Sequence, residues 1–295
     1  MPNLDVPTMS ADQLQAGRMR LARPVLPLAR LVEILFLSGP FATAAEVLAE
    51  LNEPIETAAI RYPAPAATLT PHLDLLGEFE RLKDPRPASY TVLAPDGETL
   101  PLLEAVEAWV AQKILTRELE AINSLLCGPG GCALCCQGPT ADMRQDFFAI
   151  PLSAAEVGLF PLPCHDSPAS RRLTADSEPP LAVAGRPFFA APAGLYHWRD
   201  GWGMILPRCT SCPQLGADGV CAIYPQRPQV CRRPQIFAYR LEQAAREVAE
   251  TVTVWVERGK LLAVWDCPYV RALRPEIAAY AEACELEPIF KENKA

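Results

Sequence analysis

Eleven cysteines, none of them before Cys127, constrain this 295-residue chain more than anything else in it. Eight of them fall into two short stretches. The first reads Cys127-Gly-Pro-Gly-Gly-Cys132-Ala-Leu-Cys135-Cys136, four thiols within ten residues. Gly128, Gly130 and Gly131 can take positive φ, so the backbone can curl there and turn N–H groups inward toward negative sulfur. The step from Cys132 to Cys135 is the usual chelating reach for zinc or an iron–sulfur cluster. Cys135 and Cys136 are adjacent, and adjacent side chains diverge in an extended backbone, so one of the pair can serve another corner of the site or a second site.

The second stretch runs Cys209-Thr-Ser-Cys212-Pro-Gln-Leu, then Asp218-Gly219-Val-Cys221-Ala-Ile-Tyr224-Pro-Gln-Arg227-Pro228-Gln-Val-Cys231-Arg232-Arg233. Asp218-Gly219 predicts a turn that brings Cys221 back toward Cys212. Pro228 suits the start of a short helix presenting Cys231. Arg227, Arg232 and Arg233 crowd the thiols; a metal held by four thiolates is anionic, and guanidinium groups would offset that charge from a second layer. Neither stretch completes a larger ligand set alone, so the two are expected to converge although about 75 residues separate Cys136 from Cys212.

Charge and compartment narrow the chemistry. Residues 1–126 hold 10 Lys+Arg against 17 Asp+Glu, while residues 127–295 hold 17 against 18, so the cysteine-bearing part is nearly neutral. An acidic chain without a basic tract is a poor nucleic-acid binder. The amino-terminal residues show no basic segment followed by an apolar run, and the most apolar stretch, Val25 to Leu37, contains Arg30 and Glu33 and falls short of a membrane span. A cytoplasmic location, no membrane partner and a reducing environment are therefore expected. In that environment, closely spaced cysteines point to metal ligation or thiol chemistry rather than disulfides.

The expected organisation is α+β: a small helical amino-terminal unit (1–126), a Cys-rich metal-binding domain of short antiparallel strands and loops (127–270), and a carboxy-terminal helix and tail (271–295). Leu26 to Leu37 and Thr43 to Leu51 read as a helical hairpin broken at Gly39-Pro40, with Thr43 and Glu46 as a capping box. A helix is expected from about Pro71 to Lys83. The apolar stripe Leu103, Val106, Val110, Ile114, Leu115, Leu119, Ile122 and Leu126 predicts a long helix over 100–126 that ends at Cys127-Gly128-Pro129. Asp146 to Pro151 suits a strand, Ser153-Ala-Ala-Glu156 a capping box, and residues 161–192 a long surface loop. Hairpins are expected over 196–206, around Asp200-Gly201, and over 251–266, around Arg258-Gly259-Lys260. Pro275 to Leu286 reads as a helix.

These cysteine stretches, together with Ile150-Pro-Leu-Ser153-Ala-Ala-Glu156, Asp218-Gly219-Val-Cys221-Ala-Ile-Tyr224 and a late Cys267-Pro268, resemble the YkgJ-like CxxCxxCC family of zinc- or iron-chelating domains. The resemblance covers roughly residues 127–270. It implies Cys127, Cys132, Cys135, Cys136, Cys212, Cys221, Cys231 and Cys267 as metal ligands and leaves Cys164, Cys209 and Cys284 over. The first gap is four residues here where the usual pattern has two, so Cys209 stands as a substitute or additional ligand. The same pattern also occurs in flagellin lysine methylases, which implies protein-modifying chemistry. No Gly-rich strand-to-helix turn for S-adenosylmethionine is present in the amino-terminal half.

The expectation is thus an iron–sulfur protein, of the 4Fe-4S type, using about eight cysteines in electron transfer or protein modification with a protein or redox partner. Zinc in a non-catalytic binding module is the alternative, since both metals accept four thiolates. A third reading, a thiol oxidoreductase built on Cys135-Cys136, needs a low-pKa thiol beside a resolving partner. Cys164-His165 is a possible ligand pair, whereas His197 reads as structural. Tyr224, Trp198, Trp202, Trp255 and Trp265 are candidates to shield a cluster.

Overall fold

A computed structural model of the chain describes residues 11–57, 60–127, 132–233, 235–244, 252–264 and 267–291. It is a mixed α+β protein that divides into two compact units: residues 11–123 with 235–293, and residues 124–234. The carboxy-terminal strands and helices thus join the amino-terminal helices. The cysteine-bearing unit closes at 234 instead of 270.

In the larger unit the apolar stripe folds as expected into a 26-residue helix, Leu102–Cys127, whose last turn belongs to the other unit. Val106, Val110, Ile114, Leu115, Leu119, Ile122 and Leu126 are all buried, while Leu103, at the first turn, is exposed. Val106, Val110 and Ile114 share a core with Leu28, Val32 and Phe36 of helix Leu26–Ser38 and with Val47 and Leu48 of helix Ala44–Glu50. The Thr43 side chain accepts from the Glu46 N–H at 3.2 Å, but the Glu46 carboxylate reaches the N–H of Ala42, so the reciprocal bond falls one residue early. The expected 71–83 helix is instead a run of short α and 3-10 turns, Pro65–Leu69 through Gly77–Leu82. A two-strand ribbon, Ile55–Thr57 with Ile60–Tyr62, precedes it.

Polar side chains on the long helix are buried and hydrogen-bonded, as burial demands. Gln112 donates to the Ala238 carbonyl (3.0 Å) and accepts from the Leu241 N–H (2.8 Å). Asn123 donates to the Ile236 carbonyl (2.7 Å) and accepts from Tyr269 Oη (2.6 Å). Glu118 accepts from the Val25 N–H and from Tyr280 Oη.

The expected second hairpin does not form. Thr253–Val264 is one continuous 12-residue strand, antiparallel to Ile236–Gln243 and parallel to both Tyr90–Leu93 and Glu287–Lys291. Gly259 does take positive φ (63°), but it sits in a bulge. Tyr239 pairs with Lys260 and Leu241 with Glu257, so Arg258 and Gly259 face the single residue Arg240. The sheet is therefore mixed rather than antiparallel. Glu287–Lys291, a strand not anticipated, follows helix Arg274–Ala283.

The unit 124–234 is built on a four-stranded sheet in the order Phe147–Leu152, Gly201–Pro207, Gly194–Trp198, Cys164–His165. The first hairpin forms as expected, with Trp198 opposite Gly201. Alternation gives the sheet two apolar faces. One carries Leu152, Leu195, Met204 and Leu206 with Phe160; the other carries Tyr196, Trp198 and Ile205 with Phe188 and Leu181. Residues 161–192 are thus more than a surface loop: they supply the edge strand Cys164–His165 and the buried Phe188 and Leu181. No helix among the described residues is long and apolar enough to cross a membrane.

Candidate functional site

The two thiol stretches meet. After Cys136 the chain runs antiparallel to the segment leading into Cys212: the Cys212 N–H donates to the Cys136 carbonyl (2.7 Å), the Gly138 N–H to the Thr210 carbonyl (2.8 Å), and the Cys209 N–H to the Pro139 carbonyl (2.8 Å). A Cβ added at Gly138 would stand 2.2 Å from the Pro207 carbonyl oxygen, so only glycine permits this approach. Gly219, at φ 77°, makes the expected turn. Leu215 then bridges to Cys221, returning it toward Cys212. Pro228 caps the short helix Gln229–Arg232, which presents Cys231.

The result is a cavity of about 240 Å³ lined by thiols and apolar side chains. Cys127, Cys132, Cys135, Cys136, Cys212, Cys221 and Cys231 line it. So do apolar groups that include Ile150, Phe160, Leu215, Ile223 and Val230. Cys212 and Ile223 also pack against the Leu152–Leu206 face of the sheet, which gives the cavity a rigid floor.

Burial sets the protonation of these thiols. Cys127 and Cys136 are each pushed up to about 12, first by desolvation and then by neighbouring thiols: Cys135 and Cys132 act on Cys127, and Cys212, Cys135 and Cys231 on Cys136. Cys231 is pushed up to about 11 by burial, then by Cys212 and Cys221, and Cys212 is raised by burial and Cys221. Arg227 opposes the rise at Cys127 and Cys231. These groups are therefore neutral thiols at pH 7, and a metal ion must displace their protons. A raised Cys136 is the reverse of what a thiol oxidoreductase requires.

Two side chains hold the cavity's outer layer. Arg227 lines it, buried, with its guanidinium 3.8 Å over the Tyr224 ring. It donates to the carbonyls of Cys231 and Tyr224 (both 3.0 Å) and to Ser124 Oγ (2.7 Å). Glu156 completes the expected capping box with Ser153 and also accepts from the Gln229 N–H at 2.7 Å, at the start of the Cys231 helix. Burial raises the Glu156 carboxyl, but those N–H donors and Arg232 outweigh it and hold the group below its usual value. Arg232 donates to the Arg227 carbonyl (3.3 Å) and is not part of the cavity wall.

Cys267 does not line the cavity. It lies buried in the larger unit, as the N-cap of helix Pro268–Ala272. Cys209 and Cys164 are exposed and Cys284 is buried; none of the three lines the cavity. His165 stacks on Tyr196 (4.5 Å), and His197 stacks on Trp202 (4.6 Å) with Nδ1 3.2 Å from Asp166. Of the proposed shielding aromatics, Tyr224 lines the cavity, Trp202 packs against the Leu152–Leu206 cluster, Trp198 is on the opposite sheet face, Trp255 belongs to the larger unit, and Trp265 lies outside the described residues. Sequence reasoning missed Ser124, Gly138 and the reach of Glu156 to Gln229. Only the Ser153–Glu156 spacing carried a signal for any of them.

Among the described residues, no group of three or more His, Cys, Asp or Glu side chains is arranged to hold a metal ion. The seven thiols are a donor set around a cavity, with no carboxylate or imidazole in the described lining. All-sulfur donors suit zinc or iron–sulfur and not a hard cation. Compared with models of known protein families, with curated proteins and with solved structures, the chain finds no match.

Proposed function

We propose that the unit 124–234 binds a thiolate-ligated metal centre, an iron–sulfur cluster of the four-iron type, and serves electron transfer or a protein-modification reaction. The observation that carries this reading is the convergence of seven thiols, from stretches about 75 residues apart, on one cavity. Packing alone gives no reason to gather so many. The cysteine pattern shared with the YkgJ-like family supports the same reading.

Cys127, Cys132, Cys135, Cys136, Cys212, Cys221 and Cys231 are the residues that would hold the metal, with more donors than a single four-ligand site uses. Cys267, the eighth thiol of the expected set, is proposed as a ligand on the resemblance alone. The apolar wall around Phe160 and Ile150 limits water, and Glu156 fixes the helix that carries Cys231. A bound cluster would supply one-electron chemistry. A reducing compartment such as the cytoplasm suits the reading, and a protein or redox partner would complete it.

Purification without oxygen, followed by an absorption spectrum and iron, sulfide and zinc analysis, tests it. Brown protein with iron and sulfide is expected. Colourless protein with stoichiometric zinc would replace the cluster with a zinc-stabilised module, and protein free of both metals would refute the reading. Cys231→Ser should lower metal content, whereas Cys284→Ser should leave it unchanged.

A further inference from the structure

Arg227 is a permanent cation, only 6% exposed, and every acceptor of its hydrogen bonds is neutral: two carbonyls and the Ser124 hydroxyl. The contrast with Arg81, also buried, is direct, since Arg81 is paired with the Glu78 carboxylate. No carboxylate pairs with Arg227 among the described residues. A buried charge is costly unless an opposite charge faces it. What the cavity offers in that place is a wall of thiols, which carry negative charge only when deprotonated.

Resting on the metal-binding reading above, we infer that Arg227 is the charge-selecting residue of the cavity. Its fixed guanidinium favours an occupant of net negative charge, an all-thiolate metal centre. Its three hydrogen bonds also position that charge by tying Ser124, one helical turn before Cys127, to the carbonyl of Cys231. Charge and fork geometry are separable. Lysine keeps the charge and loses the planar fork, glutamine loses the charge, and Ser124→Asp keeps the arginine but neutralises it through the Nη2 contact it already makes.

The test is a cobalt(II) titration of the full chain under anaerobic conditions. Thiolate-to-cobalt absorption reports affinity, and the melting profile of each metal-free variant is recorded in parallel. Arg227→Gln and Ser124→Asp should each bind cobalt about tenfold more weakly, and Arg227→Lys should stay within about threefold of the unaltered chain. If the chain is isolated with an iron–sulfur cluster, loss of the cation should make reduction about tenfold less favourable, or 59 mV lower for one electron. Should Arg227→Gln fail to fold, Ser124→Asp carries the charge test. Equal weakening in Arg227→Lys and Arg227→Gln would reduce Arg227 to a structural cross-link and overturn the inference, as would unchanged binding in both charge variants. If the unaltered chain takes up no cobalt, the metal reading itself fails and the inference falls with it.

Discussion

The two units solve the stability problem differently. The larger one packs a core around helix Leu102–Cys127 in which residues such as Leu28, Phe36, Val47, Val106 and Ile114 are essentially inaccessible to water. Three buried polar side chains on that helix, Gln112, Glu118 and Asn123, each have hydrogen-bond partners, while the buried His72 Nδ1 has none among the described residues. The unit 124–234 has two smaller apolar clusters on either face of a short sheet, and a cavity lined by seven thiols. The difference teaches that one unit buries a single large apolar core, whereas the other divides its apolar residues between two small clusters and leaves a thiol-lined cavity beside them.

On the proposed metal-binding reading, removing the metal should break the comparison most visibly. Structural thiolate sites contribute on the order of 10 kcal/mol, as much as a whole domain's net stability. Chelation should therefore raise amide exchange across residues 132–233 while residues 26–48 and 253–264 stay protected, as read by hydrogen-exchange mass spectrometry. Uniform protection after chelation would show that the cysteine unit is complete without metal.

Ile114→Ala should do the converse. It opens a void in the larger unit's core, at about 2–5 kcal/mol, and should lower the melting temperature without changing metal content per folded chain. Loss of metal at unchanged melting would contradict the division of labour.

A pH series sharpens the contrast further. The Glu118 carboxyl, raised from 4.5 to about 7 by burial against the pull of Tyr280 and the Val25 N–H, binds its proton more tightly folded than unfolded. Its contribution is present in full below pH 4.5 and is lost as pH rises to about 7, a change on the order of 3 kcal/mol. His72 runs the other way: burial lowers it to about 4, so its contribution is present above 6.5 and lost as pH falls. The difference between the parent chain and Glu118→Gln isolates the first effect, and denaturant midpoints for the variant should fall less between pH 4.5 and 7, the remaining decline belonging to Glu33, which burial also raises to about 7. Thr43→Ala, which removes the bond to the Glu46 N–H, should have the smallest effect, about 1 kcal/mol in the same titration.

Periodicity made the long helix legible, because seven stripe positions from Val106 to Leu126 obey one period and are buried together. Thiol spacing predicted that the two stretches converge, and they do: Cys127, Cys132, Cys135 and Cys136 of the first and Cys212, Cys221 and Cys231 of the second line one cavity. The exceptions have local causes. Arg258-Gly259-Lys260 reads as a turn because a positive-φ glycine serves a bulge as well as a hairpin, and only the partner strand decides which. Cys267, the eighth thiol of the expected set, rests on the resemblance alone; it is buried in the other unit, as the N-cap of helix Pro268–Ala272. Glu156 and Arg227 act through contacts 73 and 103 residues distant in sequence, which no local pattern encodes.

Gly138 has a consequence for recognising relatives. Cysteine spacing alone is a weak criterion, since segments between thiols can vary in length at little thermodynamic cost. The approach of residue 138 to the Pro207 carbonyl cannot be absorbed, since any side chain there would collide with backbone. A search profile weighted on a glycine two places after a vicinal cysteine pair, with a proline two places before the first thiol of the second stretch, would therefore select chains that close such a cavity. Cysteine count alone would gather chains that merely contain thiols.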